Sequence, residues 1–163
     1  MKPYALSIIE PEDVGTYSRV SSIVSNIPEL TFLGEDNRGR PVVLSCHILA
    51  RACSKFFGLK LVDGHFIPNF QHSWLETSNR HVIDVYPIGI CTTGLHIEPI
   101  LVDRRIWTHL YKPNTTGPDQ FPTKDKVVHG QDNFLQRIGA NESWFVNAVE
   151  YVVETLRNQP QQP

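Results

Sequence analysis

Apolar residues recur at helical spacing in three segments of the chain, which predicts three amphipathic helices. These segments are residues 12–26, 45–58 and 141–157. The first helix should stop just before Pro28, because proline disfavours helical backbone in the residue that precedes it. Ser45 is a typical N-cap for the second helix and Gly58 a typical residue at its end. Asn141 is the predicted cap of the third helix.

Short segments rich in β-branched and aromatic residues follow the second helix and predict strands. They are residues 59–66, 71–77, 81–87 and a further apolar stretch at 97–107. The polar pair Ser78 and Asn79 predicts a hairpin between the second and third strands. Residues 111–133 contain glycine and proline breakers among polar residues, which predicts a long loop or a flap. The fold class predicted from these elements is α+β.

The size and composition fit one globular domain over residues 1–157, followed by a disordered tail at 158–163. The chain has 163 residues, of which 40% are hydrophobic and 20% charged. Its net charge of −2 gives no reason to expect a nucleic-acid partner or an anionic membrane surface. No apolar run approaches the roughly 18 residues of a membrane span.

The three cysteines, Cys46, Cys53 and Cys91, are an odd number with no spacing typical of a disulfide framework. They are interpreted as reduced thiols of a cytoplasmic protein. The N-terminal residues have one lysine and early acidic residues, which makes a poor signal peptide. An effector exported without a cleaved signal would have the same features.

Cys46 is the strongest candidate for chemistry, because it lies in the first turn of the predicted second helix. A cysteine attacks as the thiolate, which a helix N-terminus and a nearby imidazolium both stabilise. His72, on the predicted second strand, could supply that imidazolium. The alternative interpretation is a small buried hydrophobic residue, which we favour for Cys53 because it lies two turns deeper in the same helix.

Asp84 could orient His72, because the two residues lie 12 positions apart on the predicted hairpin. A connection of three or five residues places both side chains on one face of the sheet. A plain two-residue turn would send them to opposite faces unless a bulge restored the register. The triad hypothesis therefore requires an odd connection or a bulge.

The same residues resemble the core of the transglutaminase-like superfamily of papain-fold cysteine enzymes. The resemblance covers roughly residues 40–90 and rests on SCHILARACSKFFGLKLVDGHF, HSWLE and VIDVYP, of which HSWLE is the most specific. It implies a papain-like fold in which the nucleophile helix packs on an antiparallel sheet. It also implies that Cys46 is the nucleophile, His72 the base and acid, and Asp84 the residue that orients the histidine.

The resemblance implies a cysteine-dependent hydrolase, either a peptidase or amidase or a glutamine deamidase, that acts on a protein or peptide through a thioester and needs no cofactor or metal. A transglutaminase or acyltransferase with an amine acceptor is one alternative, and a non-catalytic peptide- or protein-binding module is another. The tryptophan that many members have near the cysteine is absent here. The oxyanion would then be held by backbone amides such as that of Cys46, or with help from His47.

Other residues receive structural interpretations. Zinc binding by Cys46, Cys53, His65 and His72 is disfavoured, because no Cys-x-x-Cys or similar ligand pair occurs. Trp74 is expected to shield His72 or to be core, Glu76 to be a surface acid, and Gln71 to be structural or exposed. The remaining histidines receive no function: His65, His81, His96, His109 and His129.

Overall fold

The computed structural model describes residues 9–67, 70–87, 97–114 and 131–160. These residues form an α+β architecture with an antiparallel five-stranded sheet and five helices. The helices are α1 (Pro11–Val24), α2 (Cys46–Phe57), α3 (Arg104–Leu110), α4 (Gln131–Ile138) and α5 (Ser143–Arg157). The strands are β1 (Lys60–Phe66), β2 (Phe70–Glu76), β3 (Val82–Asp84), β4 (Ile100–Val102) and β5 (Tyr111–Pro113), in the spatial order β4-β3-β2-β1-β5.

Helix α2 begins and ends where its sequence predicts. The Ser45 hydroxyl accepts a hydrogen bond from the backbone N–H of Ile48 at 3.3 Å, which satisfies one of the free amides of the first turn. Gly58 ends the helix in the left-handed conformation with φ 70°, which glycine adopts without steric cost. Because both ends are fixed by local chemistry, Cys46 is held at the first position of the helix.

The two faces of the sheet bury different groups of side chains. One face packs against α2 and α5, and Leu49 of α2, Leu75 of β2 and Val149 of α5 lie in the same core. The opposite face packs against α3, where Trp74 of β2 and Trp107 share a smaller cluster. Successive residues of β2 therefore point alternately into the two clusters.

Two predictions about the second half of the chain are wrong. Residues 97–107 do not form one strand: only Ile100–Val102 is extended, and helix α3 begins at Arg104. Asp103 is the reason, because its carboxylate accepts a hydrogen bond from the backbone N–H of Arg105 at 2.9 Å and so caps the helix. Asn141 is also not the cap of α5, since Glu142 occupies that position without a side-chain capping bond.

The predicted loop at 111–133 contains regular structure at both ends. Tyr111–Pro113 forms the edge strand β5 beside β1, and helix α4 begins at Gln131. The intervening part of the predicted flap, the last residues of the predicted tail, and Cys91, His96 and His129 lie outside the described residues. Within the described ranges, no helix is long and apolar enough to cross a membrane.

Replacing Cys53 by alanine is expected to lower stability without removing any proposed catalytic group. Cys53 is fully buried in the core beneath α2, so the truncation leaves a small cavity. We expect the free energy of unfolding to fall by about 1–2 kcal/mol. Urea denaturation measures this loss, and an unchanged midpoint would show that the surrounding core closes around the smaller side chain.

Candidate active site

Cys46 lies at the amino end of α2 and is partly exposed, unlike the buried Cys53. The first intrahelical bond joins the N–H of Leu49 to the carbonyl oxygen of Ser45 at 2.9 Å. The backbone N–H groups of Cys46 and His47 therefore precede the intrahelical ladder and point along the helix axis. Such amides stabilise a negative charge placed before them, whether a thiolate or an oxyanion.

His72 and Asp84 share one face of the sheet and bond to each other. The last pair of the β2–β3 ladder joins Glu76 to Val82, so an odd connection of residues 77–81 links the strands. In this register Asp84 lies diagonal to His72, and Nε2 of the ring is 2.8 Å from Oδ2 of the carboxylate. Both side chains are almost completely buried. The structure confirms the predicted geometry of this pair.

The bond to Asp84 determines the tautomer of His72. A carboxylate only accepts hydrogen bonds, so the Nε2 atom of His72 carries a hydrogen and donates it. The other ring nitrogen, Nδ1, is left for Cys46, which lies near enough for the His72 ring to lower the pKa of its thiol. Thiol, imidazole and carboxylate thus follow one another in the order that a cysteine nucleophile, its base and an orienting residue would need.

Tyr111 is a further partner of the carboxylate that the sequence did not reveal. Its hydroxyl donates to Oδ2 of Asp84 at 2.8 Å, and the backbone N–H of Tyr86 donates to Oδ1 at 3.1 Å. Tyr111 follows α3 directly on β5, where the sequence predicted a loop. Burial and the negative charge of Asp84 raise the pKa of Tyr111, so its hydroxyl remains a hydrogen-bond donor.

Aromatic rings enclose the His72–Asp84 pair. Trp74 stacks on the imidazole with ring centroids 6.2 Å apart, and Phe66 and Tyr111 lie within 6.2 Å. Gly64 leaves room for Trp74, because a Cβ there would lie 2.7 Å from the Trp74 ring and 2.1 Å from the carbonyl oxygen of Lys112. Trp74 therefore shields the pair from water, and the low local dielectric strengthens the bond between His72 and Asp84.

The electrostatics of the site favour a thiolate–imidazolium pair. Burial opposes ionisation of Cys46, but hydrogen bonds from His47 and His72, with the positive charge of the rings, lower the pKa of its thiol to about 6. Burial also disfavours a charged imidazole, yet Asp84 and Cys46 raise the pKa of His72 to about 9. Between these values the thiolate and the imidazolium coexist.

A cavity of about 350 Å³ adjoins the start of α2. Ser45 and His47, the neighbours of Cys46 in the chain, contribute to its wall, and Val42, Ile48 and Trp144 make much of the rest apolar. A substrate group bound in this cavity would lie beside His47 at the start of α2.

The other residues singled out in the sequence take structural positions. Glu76 is not a surface acid: it is buried and ion-paired with Lys60 at 3.0 Å. Gln71 is exposed and, in the amide orientation that satisfies both groups, its oxygen accepts from Arg137 at 2.8 Å. Cys53 is buried, which raises the pKa of its thiol and makes it unreactive.

The residues weighed as zinc ligands do not form a metal site. Among the described residues, one group of three potential ligands lies close enough together to hold an ion, and it consists of Glu10, Asp13 and His81. Both ring nitrogens of His81 are already hydrogen-bonded, so neither offers a lone pair to a metal. Nδ1 accepts from the backbone N–H of Arg104, and Nε2 faces Glu10 at 2.5 Å. Nε2 therefore carries the hydrogen, and the group ties α1 to the β2–β3 connection.

Replacing Tyr111 by phenylalanine is expected to weaken the support of Asp84 while keeping the aromatic packing. Loss of this buried bond to a carboxylate should lower the free energy of unfolding by roughly 1.5–3 kcal/mol. Any turnover that depends on Cys46 should fall about tenfold, because His72 is then less firmly oriented.

A matched control is Tyr17→Phe, which removes one tertiary hydrogen bond, to the carbonyl oxygen of Pro99 at 2.7 Å. It should cost stability without changing turnover. If Tyr111→Phe and Tyr17→Phe reduce turnover equally, Tyr111 has no special relation to the site.

Comparison of the chain with protein-family models, with curated proteins and with solved structures gives no match in any of the three.

Proposed function

We propose that the protein is a cysteine-dependent hydrolase of the papain-like, transglutaminase-like type, which acts on an amide of a protein or peptide through a thioester. The proposal rests chiefly on one observation: the buried His72 is bonded to Asp84 at 2.8 Å and lies near enough to Cys46, at a helix N-terminus, for the ring and the thiol to shift each other's pKa. A nucleophile helix packed on an antiparallel sheet that carries the histidine and the aspartate on adjacent strands supports the same fold type.

The proposed reaction begins with the thiolate of Cys46 attacking the carbonyl carbon of the amide. The carbonyl π electrons move to oxygen, and the free amides at the start of α2 stabilise the resulting oxyanion. The imidazolium of His72 then gives its Nδ1 proton to the leaving nitrogen, the C–N bond breaks, and a thioester remains on Cys46.

Hydrolysis of the thioester completes the cycle. His72, now neutral, accepts a proton from water as the water oxygen attacks the thioester carbon, and the carboxylic acid and the Cys46 thiolate are released. Asp84 keeps Nε2 protonated throughout, so Nδ1 exchanges the proton in both halves of the reaction. An amine in place of water would give a transferase by the same steps.

The experiment that tests the proposal incubates wild-type protein and Cys46→Ala with a pool of denatured protein substrates. New amino termini, detected by mass spectrometry, would identify a peptidase, and release of ammonia with conversion of glutamine to glutamate would identify a deamidase. Isopeptide cross-links would identify an amine acceptor instead. We expect one hydrolytic product that Cys46→Ala does not form; products that persist in Cys46→Ala, or no product from either protein, would contradict the proposal.

A further inference from the structure

His47 is the second imidazole beside the nucleophile, and a buried chain of polar groups holds it. Its Nδ1 lies 2.7 Å from the hydroxyl oxygen of Ser73, and that hydroxyl lies 2.5 Å from Oδ1 of Asp63. Ser73 is fully buried and Asp63 nearly so. The arrangement resembles the Asp84–His72 pair, in that a buried carboxylate supports a histidine. It lies on the other face of β2, because residues 72 and 73 point to opposite sides of the strand.

The hydrogen positions in this chain follow from the chemistry of its members. The Asp63 carboxylate only accepts, so the single hydrogen of Ser73 is donated to it. The Ser73 oxygen must then accept from His47, which fixes the hydrogen on Nδ1 of that ring. The remaining nitrogen, Nε2, is left for Cys46 or for a bound substrate.

The buried carboxylate has its own counterion. Arg51 forms two hydrogen bonds to Asp63, at 3.1 Å and 2.7 Å, and a third to the carbonyl oxygen of His47 at 3.2 Å. Phe134 meets the edge of the His47 ring at a centroid distance of 5.4 Å. These contacts hold both the backbone and the ring of His47 in place. A histidine exposed on the surface would not have such contacts.

His47 lies beside both the proposed nucleophile and a cavity. Its ring lies near enough to Cys46 to lower the pKa of the thiol, and it lines the cavity that adjoins the start of α2. A group that lies beside the proposed nucleophile and borders a cavity at the start of the same helix is placed to act on the reacting atoms of a substrate bound there.

We infer that His47 is a second catalytic imidazole, held by Ser73 and Asp63 as His72 is held by Asp84. The inference rests on the proposed function and deepens it. In its imidazolium form, Nε2–H of His47 donates a hydrogen bond to the Cys46 thiolate. When sulfur bonds to the carbonyl carbon and the π electrons move to oxygen, the same N–H donates to that oxygen. No proton leaves His47 in this step; it completes the oxyanion site that the backbone amides begin.

The test measures the rate of Cys46 alkylation by iodoacetamide from pH 4 to pH 10, with peptide mapping to follow Cys46 alone. We expect His47→Ala to raise the apparent pKa of Cys46 by about one unit. His47→Gln should raise it less, because an amide N–H still donates, and Ser73→Ala should raise it because the ring loses its anchor. The matched control, His109→Gln, changes an exposed histidine of α3 and should leave the pKa unchanged.

The outcomes separate this inference from the proposed function. If His72→Ala raises the pKa of Cys46 while folded His47→Ala and Ser73→Ala leave it at the wild-type value, His47 is not a catalytic imidazole and the proposed function stands. If wild-type Cys46 itself titrates like a free cysteine, the proposed function fails with it. Circular dichroism establishes that each variant is folded; should His47→Ala unfold, His47→Gln and Ser73→Ala decide the question.

Discussion

Replacing Cys46 or His72 by alanine is expected to reduce turnover of an amide substrate by on the order of 10⁴-fold or more. Cys46 forms the bond to the substrate and His72 transfers the proton, so neither role has a substitute in the proposed reaction. The rate of product formation under substrate saturation measures the loss. Cys46→Ala should remain folded, because Cys46 lies at a helix terminus and is partly exposed. His72→Ala removes a buried side chain, so circular dichroism must show that this variant is folded before its turnover is compared.

Asp84→Asn should also reduce turnover, but the loss should be roughly 10- to 100-fold smaller than the loss caused by either alanine substitution. The reason is that the carboxylate orients the base without touching the reacting atoms. Cys53→Ala is the matched control, since it removes a thiol of the same helix that lies in the core. If Cys46→Ala keeps its turnover while Asp84→Asn unfolds the protein, Asp84 is a structural residue and Cys46 is not the nucleophile.

Cys46 should alkylate at least about 100-fold faster than Cys53 at pH 6–7. Cys46, with a thiol pKa of about 6, is about half thiolate at pH 6 and mostly thiolate at pH 7. Burial raises the pKa of Cys53 and keeps it as the unreactive thiol. Brief treatment with iodoacetamide followed by mass-spectrometric mapping measures the modified fraction of each cysteine. Equal labelling of Cys46 and Cys53, or protection of Cys46, would contradict the proposed thiolate.

Turnover should depend on pH as a bell-shaped curve. The pKa of Cys46 in the folded protein lies below that of an ordinary thiol, so its thiolate forms as the pH rises through about 6. Turnover should rise over the same interval and fall again near pH 9, where His72 loses its proton. A profile that rises steadily to pH 10 would show that the imidazolium is not required.

Local sequence signals predicted the part of the fold that carries Cys46. Ser45 and Gly58 fix the ends of α2 through a capping bond and a left-handed backbone, and both depend on neighbouring residues alone. Whether the β2–β3 connection has an odd or an even number of residues then decided whether His72 and Asp84 share a face of the sheet or lie on opposite faces. The sequence left the choice open because Arg80, with φ 66°, takes a left-handed conformation that its residue type does not favour.

Residues distant in sequence account for what the sequence did not predict. Tyr111 reaches Asp84 because β5 pairs with β1, a contact that no local pattern encodes. Ser73 occupies the small position of HSWLE, and its bonds to His47 and Asp63 link α2, β2 and β1. His81 showed no partner at useful spacing, yet it bonds Glu10 across the chain. Contacts between elements that are distant in sequence thus complete both the His72–Asp84 pair and the His47–Ser73–Asp63 chain.

The most direct test of the proposed thiolate–imidazolium pair is a ¹⁵N NMR titration of the His72 ring, assigned by its loss in His72→Gln. In wild-type protein we expect both ring nitrogens to stay protonated at pH 7.5 and the ring to titrate near pH 9. In Cys46→Ala the pKa should fall, because the thiolate that stabilises the imidazolium is gone. A His72 ring that titrates near its ordinary pKa of about 6.5, and does so identically in Cys46→Ala, would contradict the account.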